Sequence, residues 1–347
     1  MDTHLNAVAS GPGAALVSVV VPIHNGATWI AETLQSLLNQ SYAHLEVLLI
    51  DDASTDDLAG ALYAFHDSRL KVHRFDVNQG VSAARNAGIR LAAGDYIAFC
   101  DADDISLAQR LETQVACLQK NPDIDVCGSA FTCFGTGEED TVRHPEHHAQ
   151  IRRALMFGNC FGLSTVLGKA AVFKQCPFDE SLGLAEDYDL WTRLALRNTV
   201  FANLPESLVR YRLHVQQASK GKGERLDQQS RKVRARYCAA LLGNDAVCRA
   251  VMSETITMAD MRLAASVLQQ NLEQMGTLQA QDFRFLLAWM YQRIDSHGPV
   301  HWMQWTAIQR RLHLQLNRNY RLNNLLLALL EPILSSTQAD LLLKLKT

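Results

Sequence analysis

A strand-like apolar run, residues 96–100, leads directly into Asp101, Ala102, Asp103 and Asp104. Crowded carboxylates repel one another, and burying one without a partner is costly, so a cation is expected among them. Alternate side chains of an extended segment point the same way, which predicts that Asp101 and Asp103 face one ligand while Ala102 packs behind. An acidic, solvated turn is the alternative, because Asp is common in turns.

Three classes of metal or phosphate site compete for this segment. Counted as an EF-hand loop, Asp101, Asp103 and Glu112 fall at positions one, three and twelve, but Ile105 and Ser106 replace an oxygen ligand and the turn glycine. A phosphatase of the haloacid-dehalogenase type also has an Asp-x-Asp after an apolar strand, although that motif usually opens its domain. The third class is the Asp-x-Asp of nucleotide-sugar transferases, and the residues upstream favour it.

Upstream, the chain has the pattern of an open α/β sheet. Residues 16–22 are β-branched and predict a buried strand, and the apolar spacing of residues 30–38 predicts a helix. Residues 45–50 predict a second buried strand, which ends in Asp51 and Asp52. Because ligands of such sheets bind beyond the carboxyl ends of the strands, Asp52 and residues 101–104 are expected to line one crevice.

Two common phosphate-binding motifs are missing from the sequence. No Gly-x-Gly-x-x-Gly follows the first predicted strand, and no Gly-x-x-x-x-Gly-Lys-Ser/Thr occurs anywhere. A dinucleotide dehydrogenase and a P-loop enzyme are therefore disfavoured. Any phosphate would have to be held by a metal ion and basic side chains.

Six motifs in order give the chain a family resemblance. Residues 16–215 resemble the family 2 glycosyltransferases of GT-A fold, through the segments 17–22, 51–56, 78–88, 94–99, 101–104 and 186–191. The resemblance implies an α/β fold, a Rossmann-like, nucleotide-sugar-binding mixed sheet flanked by helices, with a helical C-terminal region. Chain length and residues 211–214 further resemble bacterial lipooligosaccharide β-1,3-N-acetylglucosaminyltransferases.

The resemblance implies a donor site at the first two strands. Asp52 would accept a hydrogen bond from the uracil of a UDP-sugar, with Pro22 and His24 lining the base and ribose pocket. Arg85, on a helix predicted over residues 81–91, would lie near the nucleotide or its diphosphate, where a guanidinium and a helix N-terminus both favour phosphate. An exposed turn histidine and a solvated surface arginine are the alternatives for His24 and Arg85.

The resemblance also implies a divalent cation, Mn²⁺ or Mg²⁺, at the Asp-x-Asp. Asp103 would ligate it directly, with Asp101 nearer the ribose or the metal's water shell, Ala102 in the same nucleotide-binding motif and Asp104 in support. His214 would reach the diphosphate or the metal from the far side, or act as a structural imidazole. Oxygen ligands beside a diphosphate suit these hard ions.

Glu186 and Asp187 are expected in the first turn of a helix, where the helix dipole stabilises acids, so a plain N-terminal cap is one explanation. The resemblance instead implies that Asp187 is the general base, that Glu186 and Trp191 bind the acceptor, and that Asp189 is structural. One carboxylate would deprotonate the acceptor while the sugar is attacked opposite UDP, which inverts the anomeric configuration.

Composition bounds the remaining expectations. With 347 residues, 48% hydrophobic content and a net charge of −3, the chain predicts a catalytic domain at 16–219, a flexible start at 1–15 and a helical region at 220–347. The charge disfavours nucleic acid as a partner. The eight cysteines lack disulfide spacing, and no signal peptide or long apolar span is evident, so a cytoplasmic protein is expected.

The C-terminal third predicts helices from about residue 230 onward. One face would carry apolar residues between Trp302 and Leu316, including Trp305, with several arginines nearby. Packing against the catalytic domain is the simpler expectation. A basic amphipathic surface could instead rest on the cytoplasmic face of the inner membrane, where a lipid-linked acceptor is found.

Together these features predict an inverting, metal-dependent glycosyltransferase. It would move a sugar from a UDP-sugar, with UDP-GlcNAc favoured, to a saccharide acceptor in the synthesis of a bacterial surface glycan. Another donor or a protein-glycan acceptor is the alternative within enzymes. A non-catalytic nucleotide-sugar-binding scaffold is the alternative outside them.

Overall fold

The computed structural model of the chain describes residues 14–137, 139–214, 223–242 and 257–271. The chain divides into two compact units, Met1–Tyr237 and Cys238–Thr347. The sheet and the cavity described below belong to the first unit. The predicted face between Trp302 and Leu316 lies outside the described residues, and the domain limits 1–15, 16–219 and 220–347 remain a prediction.

The first half of the sheet is parallel, and its two central strands are buried. Strands β1 (Val17–Ile23) and β2 (Leu45–Asp51) consist entirely of buried residues, as expected of strands that are covered on both faces. The sheet continues with β3 (Leu70–Arg74) beside β2, and with β4 (Tyr96–Phe99) beside β1. The helices between these strands are α1 (Ile30–Leu38), α2 (Leu58–Leu62) and α3 (Val81–Leu91). These positions confirm the predicted strands and the predicted helices 30–38 and 81–91.

The second half of the sheet is mixed. Its strands are β5 (Ile105–Ser106), β6 (Val126–Phe134), β7 (Asp140–Val142), β8 (Leu167–Lys169) and β9 (Phe201–Arg212). Within the described residues the order is β3-β2-β1-β4-β8-β6-β9-β5, with β7 beside β6. Strand β8 runs antiparallel to β4 and β6, whereas β6 and β9 are parallel.

The remaining helices are α4 (Arg110–Lys120), α5 (His148–Ala154), α6 (Ala170–Gln175), α7 (Glu186–Leu196), α8 (Gly223–Leu242) and α9 (Met258–Asn271). No helix in the described part of the chain is long and apolar enough to cross a bilayer.

The register of the central strands positions the site. Val20 pairs with Leu48 of β2 and with Phe99 of β4, so the carboxyl ends of β1, β2 and β4 lie at the same edge of the sheet. The segments after these strands, which begin at His24, Asp52 and Cys100, therefore meet there. This confirms the predicted crevice for Asp52 and residues 101–103, whereas Asp104 is fully buried and does not line it.

Arg110 joins the two halves of the sheet from inside. It is fully buried, and its guanidinium donates to the carbonyls of Phe99 (2.8 Å) and Val166 (3.2 Å) and to Ser106 Oγ (2.9 Å). Burial lowers its pKa from the ordinary value of arginine. Because a buried guanidinium can satisfy several carbonyls at once, Arg110 fixes the end of β4 just before the acidic turn.

Candidate functional site

A cavity of about 900 Å³ opens at the carboxyl ends of β1, β2 and β4. Sites for small molecules commonly have volumes of about 300–1,000 Å³. All of the predicted site residues except Trp191 line this cavity: Pro22, His24, Asp52, Arg85, Asp101, Ala102, Asp103, Glu186, Asp187 and His214.

Asp52 lies at one end of the cavity and organises the loop that precedes α3. Its carboxylate is almost fully buried and accepts hydrogen bonds from the backbone N–H groups of Gln79 (2.6 Å) and Gly80 (2.8 Å). His24 is exposed, and its Nδ1 lies 2.7 Å from the Asp52 carbonyl oxygen, to which it can donate. A carboxylate oxygen has two lone pairs, so each oxygen of Asp52 can still accept a further donor.

Arg85 connects two acidic segments across the cavity. Nη1 lies 2.6 Å from Glu186 Oε1 and Nη2 lies 2.9 Å from Asp101 Oδ1, while the guanidinium stacks 5.4 Å from the ring centre of Phe178. The residue is only 5% exposed, and its two acidic partners raise its pKa against the opposing effect of burial. Arg85 is therefore a buried bridge between α3, α7 and the acidic turn, and not a solvated surface charge.

The segment 101–104 is a turn, and this corrects one expectation from the sequence. The Asp104 N–H donates to the Asp101 carbonyl (3.3 Å), so the residues are not extended. Ala102 lines the cavity with Asp101 and Asp103, and it also packs against the hydrophobic core, as expected. Asp104 is fully buried and accepts the Arg212 N–H (2.9 Å); burial and the charges of Asp101 and Asp103 raise its pKa.

Asp103 and His214 form a pair on the cavity wall. Asp103 Oδ2 lies 2.8 Å from His214 Nε2, and the imidazole ring packs 5.6 Å from Trp29. Burial and the nearby Asp101 charge raise the pKa of Asp103, although the hydrogen bond from His214 opposes this shift. The structure thus brings together the predicted metal ligands Asp103 and His214, while Asp101 faces Arg85.

The side chains around Asp103 form an incomplete site for a divalent cation. Among the residues that the structure describes, no group of three or more His, Cys, Asp or Glu is arranged to hold a metal by itself. Mg²⁺ and similar ions at phosphate sites usually bind through one or two carboxylates and take further ligands from phosphate and water. Asp103 and His214, with Asp101 close by, fit an ion that binds together with a diphosphate.

Arg212 contacts the backbone of the acidic turn. Its guanidinium lies between the rings of Trp29 (4.4 Å) and Phe134 (4.6 Å), and its Nε donates to the Asp103 carbonyl (2.8 Å). It also pairs with Glu32 of α1. Arg212 thus contacts the backbone of the predicted metal ligand Asp103.

Asp187 lines the cavity, and its surroundings raise its pKa. Its Oδ2 accepts a hydrogen bond from Asn159 Nδ2 (2.7 Å), and its Oδ1 accepts the Tyr188 N–H (2.7 Å). Burial and the neighbouring Glu186 charge raise its pKa to about 6, although Arg85 and the hydrogen bonds act in the opposite direction. A carboxylate with such a pKa can take a proton near neutral pH.

Trp191 does not lie at the cavity. It is fully buried one turn after Asp187, and its ring packs 5.2 Å from that of Phe161. The second turn of α7 faces the core, so Trp191 is not positioned to contact a molecule in the cavity. Asp189 also faces the core, where it pairs with Arg193 (2.6 Å) and Arg236.

Several lining residues were not assigned a role from the sequence. They are Trp29, Asn78, Phe131, His144, Asn159, Phe161, Tyr211, Leu226 and Ser230. Asn159 illustrates the reason, since it lies 28 positions from the Asp187 carboxylate that it binds. No local motif signals such a pairing.

Comparison with known proteins agrees with this geometry. Residues 18–182 match the model of glycosyl transferase family 2. An uncharacterized glycosyltransferase of Haemophilus influenzae is 32% identical over 235 residues, which cover 63% of this chain and 72% of the relative. The Escherichia coli protein WfgD, named a UDP-Glc:α-D-GlcNAc-diphosphoundecaprenol β-1,3-glucosyltransferase, is 31% identical over 62% of this chain and 83% of its own.

Other relatives differ more in length from this chain. The chain spans only 27 to 31% of three longer uncharacterized glycosyltransferases from Rickettsia species. Among solved structures, Staphylococcus aureus TarS 1–349 in complex with UDP-GlcNAc superposes with a TM-score of 0.55 at 20% identity, over 89% of this chain and 88% of that one. The fold is thus the GT-A fold, and the chain belongs to glycosyl transferase family 2 and is a glycosyltransferase.

Proposed function

We propose that this protein is an inverting glycosyltransferase that uses a UDP-sugar and a divalent cation to extend a bacterial surface glycan. The observation that carries the proposal is the joint presence, in one cavity, of the Asp103 and His214 pair and of Asp187 with a pKa of about 6. A protein that only bound a nucleotide sugar would not need a base beside the ligand. The non-catalytic alternative is therefore disfavoured, and family membership excludes the phosphatase alternative.

Asp187 acts as the general base in this proposal. Its carboxylate takes the proton of an acceptor hydroxyl while that oxygen bonds to the anomeric carbon of the donor sugar. The bond between this carbon and the UDP oxygen breaks, and its electron pair leaves with UDP. A single displacement of this kind inverts the anomeric configuration and requires no second carboxylate nucleophile.

Asp103 and His214 would hold the cation, Mn²⁺ or Mg²⁺, and Asp101 would lie in its water shell or near the ribose. The bound ion would neutralise charge that develops on the diphosphate leaving group. Arg212 supports this part of the site through the Asp103 carbonyl, and Arg85 keeps Asp101 oriented.

The donor end of the cavity is formed by Pro22, His24 and Asp52. The Asp52 carboxylate is held rigidly by Gln79 and Gly80 and retains lone pairs for the imide N–H of uracil. UDP and UDP-GlcNAc complexes of the structurally similar TarS, and the UDP-Glc named for WfgD, support a uridine nucleotide. UDP-GlcNAc remains the favoured donor.

A saccharide carried on a lipid is the favoured acceptor. The name of WfgD specifies a sugar on undecaprenol diphosphate, which supports an acceptor of this kind for the present chain. Such a substrate would be reached at the cytoplasmic face of the inner membrane, so peripheral contact with that membrane belongs to the same proposal.

Release of UDP tests the proposal. The full chain would be incubated with a panel of UDP-sugars and a lactose-terminated acceptor, with and without Mn²⁺. We expect UDP release that depends on both the acceptor and Mn²⁺ and that is largest for UDP-GlcNAc. Proton magnetic resonance of the product would show an anomeric configuration opposite to that of the donor.

Asp187→Asn supplies the decisive variant. Loss of a general base typically lowers the rate about 10²- to 10⁴-fold, and we expect a loss in this range while calorimetry finds UDP affinity unchanged. Asp123→Asn is the matched control, because Asp123 is exposed and does not line the cavity. Full transfer activity in Asp187→Asn would refute the mechanism.

A further inference from the structure

One wall of the cavity is made of aromatic and apolar side chains to which the proposed chemistry assigns no role. It consists of Phe131, Cys133, Val142, His144 and Tyr211, called the acceptor wall below. The strand register explains how these residues meet. Phe131 and Cys133 alternate along β6, Val142 of β7 pairs with Phe131, and Tyr211 of β9 pairs with Cys133. Their side chains therefore share one face of the sheet.

The acceptor wall is built around the ring of Phe131. This ring lies 5.4 Å from that of Tyr211, tilted by 52°, and 5.9 Å from that of His144, tilted by 45°. All three side chains are only partly buried, so they present surface to the cavity. Tilted contacts at these distances are favourable for aromatic pairs and hold the rings in place.

The acceptor wall is uncharged near neutral pH. Burial lowers the pKa of His144, which favours the neutral imidazole. Burial and the nearby Asp101 charge raise the pKa of Tyr211, which keeps the phenol protonated. The uncharged wall thus contrasts with the acids that line other parts of the cavity.

A short segment links the acceptor wall to the proposed base. At one end of it Asn159 donates to Asp187 Oδ2 (2.7 Å). Three positions later, a Cβ added at Gly162 would lie 2.9 Å from Cδ1 and Cε1 of Phe131, so this backbone packs directly against the ring. The acceptor wall is therefore adjacent to the group that would deprotonate the acceptor.

We propose that the acceptor wall binds the apolar face of a neutral pyranose ring in the acceptor and so selects the acceptor, with Phe131 as the main contact. This inference rests on the proposed function and specifies the substrate class of the same site. A pyranose has a face of C–H groups and a rim of hydroxyls. Phe131 can cover that face, while the Tyr211 hydroxyl and the His144 imidazole can bond to the rim.

Binding of simple sugars tests the inference without requiring turnover. Methyl β-glucoside, β-galactoside, β-N-acetylglucosaminide and β-lactoside would each be added to the full chain with UDP, and saturation-transfer NMR would detect the contact. We expect the C–H protons on one face of the ring to receive the strongest saturation. Phe131→Leu should reduce this signal at least threefold, because leucine retains bulk but lacks a flat face.

Two further variants guard against an indirect effect. Phe75→Leu makes the same chemical change at a partly buried phenylalanine that does not line the cavity, and it should leave the signal unchanged. Gly162→Ala tilts the Phe131 ring without removing it, and its φ of −79° is accessible to alanine. This variant should also weaken the signal at least threefold.

The possible failures are distinguishable. Equal saturation in the parent chain and in Phe131→Leu, or no saturation with any of the four glycosides, would overturn the acceptor assignment even if UDP binds. Failure of UDP to bind the parent chain by calorimetry would instead overturn the proposed function. Equal melting temperatures of Phe131→Leu and Phe75→Leu would show that reduced binding is not a folding defect.

Discussion

Of the buried arginines around the acidic turn, Arg85 and Arg110 have partners of opposite character. Arg85 is 5% exposed and bonds to the carboxylates of Asp101 and Glu186, which raise its pKa. Arg110 is fully buried and bonds to carbonyl and hydroxyl oxygens, and burial lowers its pKa. Both residues lie on helices, and both fix the segment that follows β4.

The comparison shows that the burial of an arginine does not by itself reveal the role of its charge. Arg110 donates hydrogen bonds to neutral oxygen atoms and so connects neighbouring parts of the sheet. Its removal should therefore affect folding. Arg85 neutralises two acids that line the cavity, so its removal should affect the electrostatics of Asp187 more than the core. The following experiments test this division of roles.

Arg110→Met should cause the largest change in stability. It leaves Ser106 Oγ and the Phe99 carbonyl without their buried donor, and unsatisfied groups cost about 1–3 kcal/mol each. We expect a loss of about 3 kcal/mol in the free energy of unfolding, measured by urea denaturation. Lys120→Met, at an exposed position of the same helix, is the control. A change below about 1 kcal/mol would contradict the structural role of Arg110.

Arg85→Met should lower the turnover rate about 100-fold, which is comparable to the loss of one preorganised donor in other active sites. The physical reason is that Asp101 and Glu186 lose their common cation and Asp187 gains a more negative environment. Steady-state UDP release measures the effect. Arg90→Met, at an exposed position of the same helix, should retain parental activity. If Arg85→Met unfolded at the assay temperature but had parental activity at a low temperature where it folds, Arg85 would be a structural residue. The assignment of the two arginines would then be reversed.

The pH profile should sharpen the comparison further. Asp187 must be deprotonated to accept a proton, so kcat should fall as pH drops through about 6. Glu186→Gln removes a charge that raises this pKa, so the acid limb should move to lower pH. Arg85→Met removes a charge that lowers it, so the limb should move to higher pH, in each case by about 0.5 to 1 unit. Shifts in the same direction in both variants would show that Asp187 does not control the limb.

The sequence could predict the parallel half of the fold and the position of the cavity, because these depend on local patterns. The buried runs that became β1 and β2, and the acids after β2 and β4, are contiguous in the chain and have periodic or motif signals. The GT-A fold and the family followed from six such motifs in order. Each of these features can be recognised within a window of about ten residues.

The parts that could not be predicted depend on distant pairings. Glu186 lies 101 positions from Arg85, and the acceptor wall needs the parallel register of β6 with β9. Residues 101–103 were predicted to be extended, whereas the Asp104 N–H bonds to the Asp101 carbonyl and makes a turn. The family resemblance implied that Trp191 binds the acceptor, although the helix directs its side chain into the core.

The smallest expected effect concerns the residues that immediately precede the two helices connected by Arg85. Gly80 precedes α3 with φ of 92°, and Ala185 precedes α7 with φ of 58°, so both are in the left-handed region. Glycine adopts this region readily, whereas alanine does so at a cost of about 1–2 kcal/mol, partly offset by the greater unfolded-state entropy of glycine.

Gly80→Ala should therefore destabilise the protein by about 1 kcal/mol, and Ala185→Gly should stabilise it by about 0.5 kcal/mol. Urea denaturation of both variants measures the two values. Because Ala185 immediately precedes Glu186 and Asp187, activity assays on the same samples would show whether the left-handed alanine also orients these acids. Greater stability with unchanged kcat would show that Ala185 affects folding alone, whereas greater stability with reduced kcat would show that its strained backbone positions the end of α7 opposite Arg85.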